Sequence, residues 1–354
     1  MKILHVNHCL SMGGAEVMLL DLAYEQQKLG HHVTICSMHG AGVLDEEARQ
    51  LNLRLIHLNS SSSMAAQFGA IRNLFKSEDF DIVHMHWGVW LPVAMASRLS
   101  RIPCIYTNHS NHSRRTFLLH RLAAKLTTKI VVLTSNPENY MQFWVGVPMS
   151  KVEVIPNGVD VLKFSNANPT KIDGIPEDAA VVGMVARMAP PKDYRTFIHS
   201  AKLVQNKFPH VHFVAIGDGP ERRQNEDLVK LTGVSAFHFL GTRSDVYSLL
   251  RRMKINVLST RDEGFGITLI ESMASGCAVV ASDIPPVRFV LDNGKCGRLV
   301  PPGDVAALAQ SIITLLEDDS LRTRLVSAGK ERVKEFSSQR MTERYINLYA
   351  KLVA

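Results

Sequence analysis

Ser259-Thr260-Arg261-Asp262-Glu263-Gly264-Phe265-Gly266-Ile267-Thr268-Leu269-Ile270-Glu271 joins the end of one apolar run to the start of another. The run Ile255–Thr260 predicts a buried strand and Ile267–Ser275 a helix, so the stretch reads strand, turn, helix. Gly264 and Gly266 flank Phe265 and let bare backbone approach a ligand, while the unpaired N–H groups of a new helix favour an anion. Glu271 follows Glu263 by eight positions, which puts one carboxylate at the turn and the other about two helical turns in. Carboxylates so placed can accept hydrogen bonds from neutral hydroxyls, such as those of a sugar or a ribose. The plainer alternative is a helix-end charge at Glu263 and a solvated face residue at Glu271. Against it, the small, apolar Met273-Ala274-Ser275-Gly276 that follows marks a mostly buried helix.

The same rhythm of apolar run, turn and amphipathic stretch repeats along the chain. Upstream, Ile3–Val6, Val33–Cys36, Arg54–Leu58, Asp81–His86, Cys104–His109 and Ile130–Thr134 read as strands. Downstream, Val181–Arg187, His212–Gly217, Phe237–Leu240, Ile255–Thr260, Ala278–Ser282 and Gly297–Val300 form a second series. Helical patterns lie between most of them, and such alternation implies parallel sheets wound on both faces, an α/β class. A chain of 354 residues is also longer than one core usually serves. Two Rossmann-like domains are therefore expected, at 1–160 and 177–338, with an Asn-, Pro- and Gly-rich linker at 161–176 and a final helix within 339–354.

Composition narrows the function. The chain is 46% hydrophobic and 21% charged, ordinary for a globular protein, with 40 Lys and Arg against 33 Asp and Glu. The charge is uneven: no acidic residue lies between Asp81 and Glu138, where Arg98, Arg101, Arg114, Arg115, Arg121, Lys125 and Lys129 all fall. Such a run either attracts phosphate, nucleic acid or an anionic bilayer, or is a solvated helix face. It lacks the interleaved aromatics that stack on bases, so no nucleic acid partner is expected. The five cysteines stand apart, without a C-x-x-C pair, which disfavours disulfides and zinc. No apolar run reaches the ~18 residues of a membrane span, and the N-terminus turns polar too soon for a secretion signal. The expected location is the cytoplasm, with any contact to an anionic membrane face peripheral.

Other segments place chemistry at strand ends. Arg187-Met188-Ala189-Pro190-Pro191-Lys192 sets two cations on a stiff double proline; Arg forks onto two oxygens and Lys acts as a point charge, a pair suited to a diphosphate. Ile216-Gly217-Asp218-Gly219-Pro220-Glu221 lacks the G-x-G-x-x-G spacing of a dinucleotide oxidoreductase and reads instead as a loop lining a nucleotide pocket. Upstream, Gly13-Gly14-Ala15-Glu16 follows the first strand, and His109 closes another. Histidine is abundant here, with His84, His86, His112 and His120 besides. Most of these are read as structural. His84 and His86 share a strand face, but no Cys or carboxylate cluster completes a metal site with them.

Together these segments resemble glycosyltransferase family 4, retaining enzymes of the GT-B fold. The resemblance rests on Gly13-Gly14-Ala15-Glu16, Asp81-Ile82-Val83-His84-Met85-His86, Thr107-Asn108-His109, Ile155-Pro156-Asn157-Gly158-Val159-Asp160, Arg187 with Lys192, Gly217 to Glu221, Phe239-Leu240-Gly241 and the E-x7-E signature from Glu263 to Glu271. It implies two Rossmann-like domains facing each other across a cleft, and a final helix that returns to the first. It also implies a nucleotide-sugar donor, UDP-, GDP- or ADP-linked, and a carbohydrate or lipid-linked acceptor. By that resemblance Glu271 holds the donor ribose, and Glu263 with the backbone of Gly264, Phe265, Gly266 and Ile267 holds the transferred sugar. Arg187 and Lys192 neutralise the departing diphosphate, while Gly217 and the backbone from Leu240 to Arg243 serve the nucleotide. His109 reaches the donor sugar and Gly14 sits beside phosphate and acceptor. Two positions depart from the family pattern: Asp193 and Ala186 stand where glycine is common.

No Asp-x-Asp motif is read along the chain, so no metal and no other cofactor is expected, and the two cations take over charge neutralisation. The resemblance further implies a front-face route in which the leaving phosphate helps deprotonate the acceptor hydroxyl. A GT-B phosphorylase or a nucleotide-sugar epimerase on a similar scaffold are the alternatives within catalysis, and a non-catalytic sugar-nucleotide binder the alternative outside it.

Overall fold

A computed structural model describes residues 1–11, 13–61, 63–86, 88–109, 117–134 and 146–354. The expectations at His112, Arg114 and Arg115 lie outside them. The chain divides into two compact units, 1–159 with 338–354, and 160–337.

The first unit is built on a seven-stranded parallel sheet of β1 (Lys2–Asn7), β2 (His32–Ser37), β3 (Arg54–His57), β4 (Ile82–Met85), β5 (Cys104–Asn108), β6 (Lys129–Val132) and β7 (Val152–Val154), in the order β3-β2-β1-β4-β5-β6-β7. The second carries six strands: β8 (Val181–Val185), β9 (His212–Ile216), β10 (Phe237–Gly241), β11 (Ile255–Leu258), β12 (Ala278–Ser282) and β13 (Arg298–Val300), in the order β10-β9-β8-β11-β12-β13. Central strands such as β8, β11 and β12 are buried along their whole length, as strands covered on both faces must be. That is why they read as unbroken apolar runs. β7 is different: it sits at the sheet edge with two of its three residues exposed, so no apolar run announced it.

Each sheet reverses its strand order once, between β1 and β4 and between β8 and β11. At such a switch the loops leaving the two central strands splay apart and open a crevice at their carboxyl ends, the place where α/β sheets bind ligands. In the second unit the loop after β8 carries Arg187 and Lys192, and the loop after β11 carries Glu263 and Gly264.

Segment 161–176, expected as a linker, is not one. It forms the short helix Val161–Ser165, started by the Asp160 side chain, and buries Phe164, Ile172 and Ile175 within the second unit. Its mixed Asn, Pro and Gly content hides three well-spaced apolar anchors. At the other end the chain re-enters the first unit as the helix Ser338–Val353, where Ser338 N–H donates to the Val159 carbonyl at 2.9 Å. Tyr345, Leu348 and Tyr349 of that helix are buried in the core beneath the helix Gly14–Lys28. Among the described residues no helix is long and apolar enough to cross a membrane.

Candidate functional site

The β8 and β11 loops are fastened to each other. Lys192 Nζ donates to a Glu263 carboxylate oxygen, the two side chains being 21% and 15% exposed. The other Glu263 oxygen accepts Gly264 N–H at 3.1 Å. Behind this pair, Arg261 N–H and Thr260 Oγ1 both donate to the Pro191 carbonyl, at 2.9 and 2.8 Å. Asp193 N–H donates to the Ser259 carbonyl at 3.0 Å. The double proline thus supplies a fixed acceptor, and the backbone on either side of Lys192 is held while Glu263 receives its ammonium.

A third loop locks onto the first. Met188 N–H donates to the Asp218 carbonyl at 2.9 Å and Glu221 N–H to the Met188 carbonyl at 3.0 Å. Gly217 has φ of +125°, and an added Cβ would collide with the Ala186 carbonyl oxygen. Glycine is needed there for both reasons. Gly217 N–H in turn donates to the Gly241 carbonyl at 2.8 Å, which ties in the end of β10. The β9–β10 ladder shifts register between Phe239 and Gly241, at Leu240, the kind of irregularity that re-aims backbone beside a site.

Gly266, with φ of +90°, starts the helix Ile267–Ala274 without any side-chain cap, so its first N–H groups keep their attraction for an anion. Phe265 is buried against Phe289 and Phe336 and pins this turn. Glu271 lies half-buried midway along the helix, and Arg187 is exposed at the start of the β8 loop. Arg187, Lys192, Gly217, Leu240, Glu263 to Ile267 and Glu271 therefore all belong to the carboxyl-end loops of one sheet and the helix that follows them. Gly14 and His109 belong to the first unit.

In that unit the helix Gly14–Lys28 begins directly after the β1 loop. Glu16 is nearly buried in its first turn, where burial pushes its carboxyl up against opposing hydrogen bonds from Asn7 and Ser11. His109 follows β5, and its Nε2 lies 3.2 Å from His86 Nδ1, the two ring planes being within 20° of parallel. Burial lowers the His109 pKa to about 4, so the ring is neutral at ordinary pH.

Residues 12–162 match the family model for Glycosyltransferase Family 4, and residues 167–332 the model for glycosyl transferases group 1. The chain belongs to the family 4 glycosyltransferases. It is 28% identical to the phosphatidyl-myo-inositol mannosyltransferase of Mycolicibacterium smegmatis, covering 95% of this chain and 90% of the relative. It is 26% identical to the UDP-Gal:alpha-D-GlcNAc-diphosphoundecaprenol alpha-1,3-galactosyltransferase of Escherichia coli, covering 80% and 79%. Among solved structures it is similar to Anabaena Alr3699/HepE in complex with UDP and glucose, with a TM-score of 0.87 at 20% identity over 99% of this chain and 100% of that one. The fold is GT-B.

Two features of this glycosyltransferase escaped the reading of its sequence. Asp193, seen only as a departure from the family pattern, caps the helix Tyr194–Lys207 by accepting from Thr196 N–H at 3.1 Å and also holds Arg261. Its Ser/Thr/Asp/Asn-type position before a helical run was the available signal. The chain also holds one Asp-x-Asp pair, Asp79 and Asp81, which precedes β4. It lies at the amino-terminal edge of the sheet, where Asp81 accepts Lys2 N–H at 2.7 Å, the opposite end from the loops above.

Proposed function

We propose that this glycosyltransferase binds a nucleoside diphosphate sugar through its second unit and transfers the sugar, with retention of anomeric configuration, to a lipid-linked hydroxyl acceptor. The observation that carries the reading is the Lys192–Glu263 pair at the β8–β11 switch: a cation fit for phosphate and a carboxylate fit for sugar hydroxyls, both rigidly mounted. Arg187 on the same loop adds a second cation. Glu271 is assigned to the ribose hydroxyls, and the backbone from Gly264 to Ile267 to the transferred sugar. Gly217 and Leu240 are assigned to the nucleotide, and His109 and Gly14 of the first unit to the same reaction on resemblance.

In the step proposed, the bond from the anomeric carbon to the leaving phosphate oxygen breaks as the acceptor oxygen bonds to the same face. The acceptor proton passes to a phosphate oxygen, and nucleoside diphosphate departs. Arg187 and Lys192 stabilise the charge that builds on that phosphate, a task that requires no metal. UDP, GDP and ADP are all compatible with recognition by backbone.

The relatives quoted act, by their names, on lipid-borne acceptors. In this chain the helix Phe117–Leu126 exposes Leu118, Leu119 and Leu122 beside Arg121 and Lys125. An apolar and basic surface of this kind favours the headgroup boundary of an anionic bilayer, where such an acceptor resides. Proton NMR of the first product formed from an α-linked donor tests the chemistry. An α-linked product is expected, and a β-linked one rejects the retaining route.

A further inference from the structure

Four histidines of the first unit are joined in one buried network. His5 Nε2 lies 2.7 Å from Gln26 Oε1, His5 Nδ1 lies 3.0 Å from His86 Nε2, and His86 Nδ1 lies 3.2 Å from His109 Nε2. A branch begins at the same glutamine: Gln26 Nε2 donates to Tyr349 Oη at 3.4 Å, which lies 2.6 Å from His84 Nδ1, while His84 Nε2 lies 2.7 Å from Thr107 Oγ1. His5, His84 and His86 are close enough to share a cation. Yet both ring nitrogens of each already face a hydrogen-bonding partner, so every lone pair has a donor available. The cluster is built for hydrogen bonding rather than for metal ligation.

Burial lowers the pKa of His5 to about 4 and holds those of His84 and His86 well below the usual histidine value, with neighbouring histidines adding to the effect. Each ring is therefore neutral and carries one proton. That fixes the direction of the chain. Gln26 Oε1 can only accept, so His5 bears its proton on Nε2 and presents Nδ1 as an acceptor. His86 must then donate from Nε2 and accept at Nδ1, and His109 must donate from Nε2. What remains is His109 Nδ1, a buried nitrogen with no partner among the described residues and, by this logic, with no proton.

We infer that Gln26, acting through His5 and His86, sets the tautomer of His109 so that its bare Nδ1 accepts a hydrogen bond from a hydroxyl of the reacting sugar or acceptor. The inference rests on the reading that His109 serves transfer. Gln26, His5 and His86 are positioning residues. Gln26 also orients Tyr349, so the C-terminal helix and the site histidine answer to one amide.

Long-range proton–nitrogen NMR of the full chain labelled with 15N-histidine tests the inference without reference to turnover. His109 is expected as the Nε2–H tautomer between pH 6 and 8, and an Nδ1–H ring there overturns the proposal even if every variant misfolds. Gln26→Leu, which has no acceptor, should mix the His109 tautomers and lower kcat by about tenfold, the worth of one hydrogen bond. Gln26→Glu, which keeps an acceptor, should restore both. Unchanged His109 resonances in Gln26→Leu also overturn it. Full activity in His109→Phe would instead reject the role of His109 in transfer while leaving the measured tautomer as it stands.

Discussion

Asp193 accepts from Thr196 N–H and from Arg261 Nε, each at 3.1 Å, so one carboxylate both caps the helix behind the β8 loop and holds the β11 loop. This brace is independent of the Lys192–Glu263 pair. Where the family pattern has glycine, the Asp193 side chain is accommodated because it is buried and held from both sides by Thr196 and Arg261.

Asp193→Ala should lose the cap and destabilise the protein by about 1–2 kcal/mol, read from urea unfolding, whereas Asp193→Asn should keep most of the cap. Burial disfavours the Asp193 anion, but the bonds from Thr196 and the Arg261 guanidinium outweigh it and hold the pKa below the usual value. Stability from this group is complete above the unfolded carboxyl value, near pH 4, and fades as pH falls through the lower folded value. The wild type should therefore lose stability more steeply than Asp193→Asn below pH 4. Parallel curves would show that the carboxylate contributes nothing.

Lys192→Met leaves the mostly buried Glu263 carboxylate without its cation, and Glu263→Gln does the reverse. Each single change should cost more than half of what the double change costs, with a coupling of roughly 0.5–3 kcal/mol. Additive losses in unfolding experiments would mean that the two side chains act separately.

Arg187→Ala should lower kcat by roughly 100-fold while changing nucleotide affinity far less, because charge accumulates on the phosphate chiefly in the transition state. Equal losses in kcat and in binding would place Arg187 in ground-state recognition alone.

Much of this was legible beforehand, for reasons visible at particular residues. Val181–Val185 and Ala278–Ser282 read as strands because both their faces are buried. Glu263 and Glu271 could be paired because they are close in sequence. The histidine network was not legible: Gln26, His5, His86 and His109 come from separate elements, and each alone looks like an ordinary structural residue. The linker was misread for the related reason that Phe164, Ile172 and Ile175 are anchors without a period. The capping role of Asp193 was not legible because the residue reads as the end of the Arg187–Lys192 loop rather than as the start of the helix Tyr194–Lys207.

Replacing Leu118 and Leu122 with Ser and Arg121 and Lys125 with Gln should weaken co-sedimentation with vesicles containing anionic phospholipid, and added salt should weaken it in the unaltered protein. Binding that ignores both the substitutions and the salt would remove this helix from any account of the acceptor.

Isothermal calorimetry of Glu271→Ala against UDP, GDP and ADP tests the donor site most directly. At least one of these should bind the unaltered protein, and the substitution should weaken that binding by roughly 1.5–3 kcal/mol, the worth of a hydrogen bond to a charged group. Equal affinity in the two proteins would contradict the assignment of the β8–β11 loops and their helix to a nucleotide sugar.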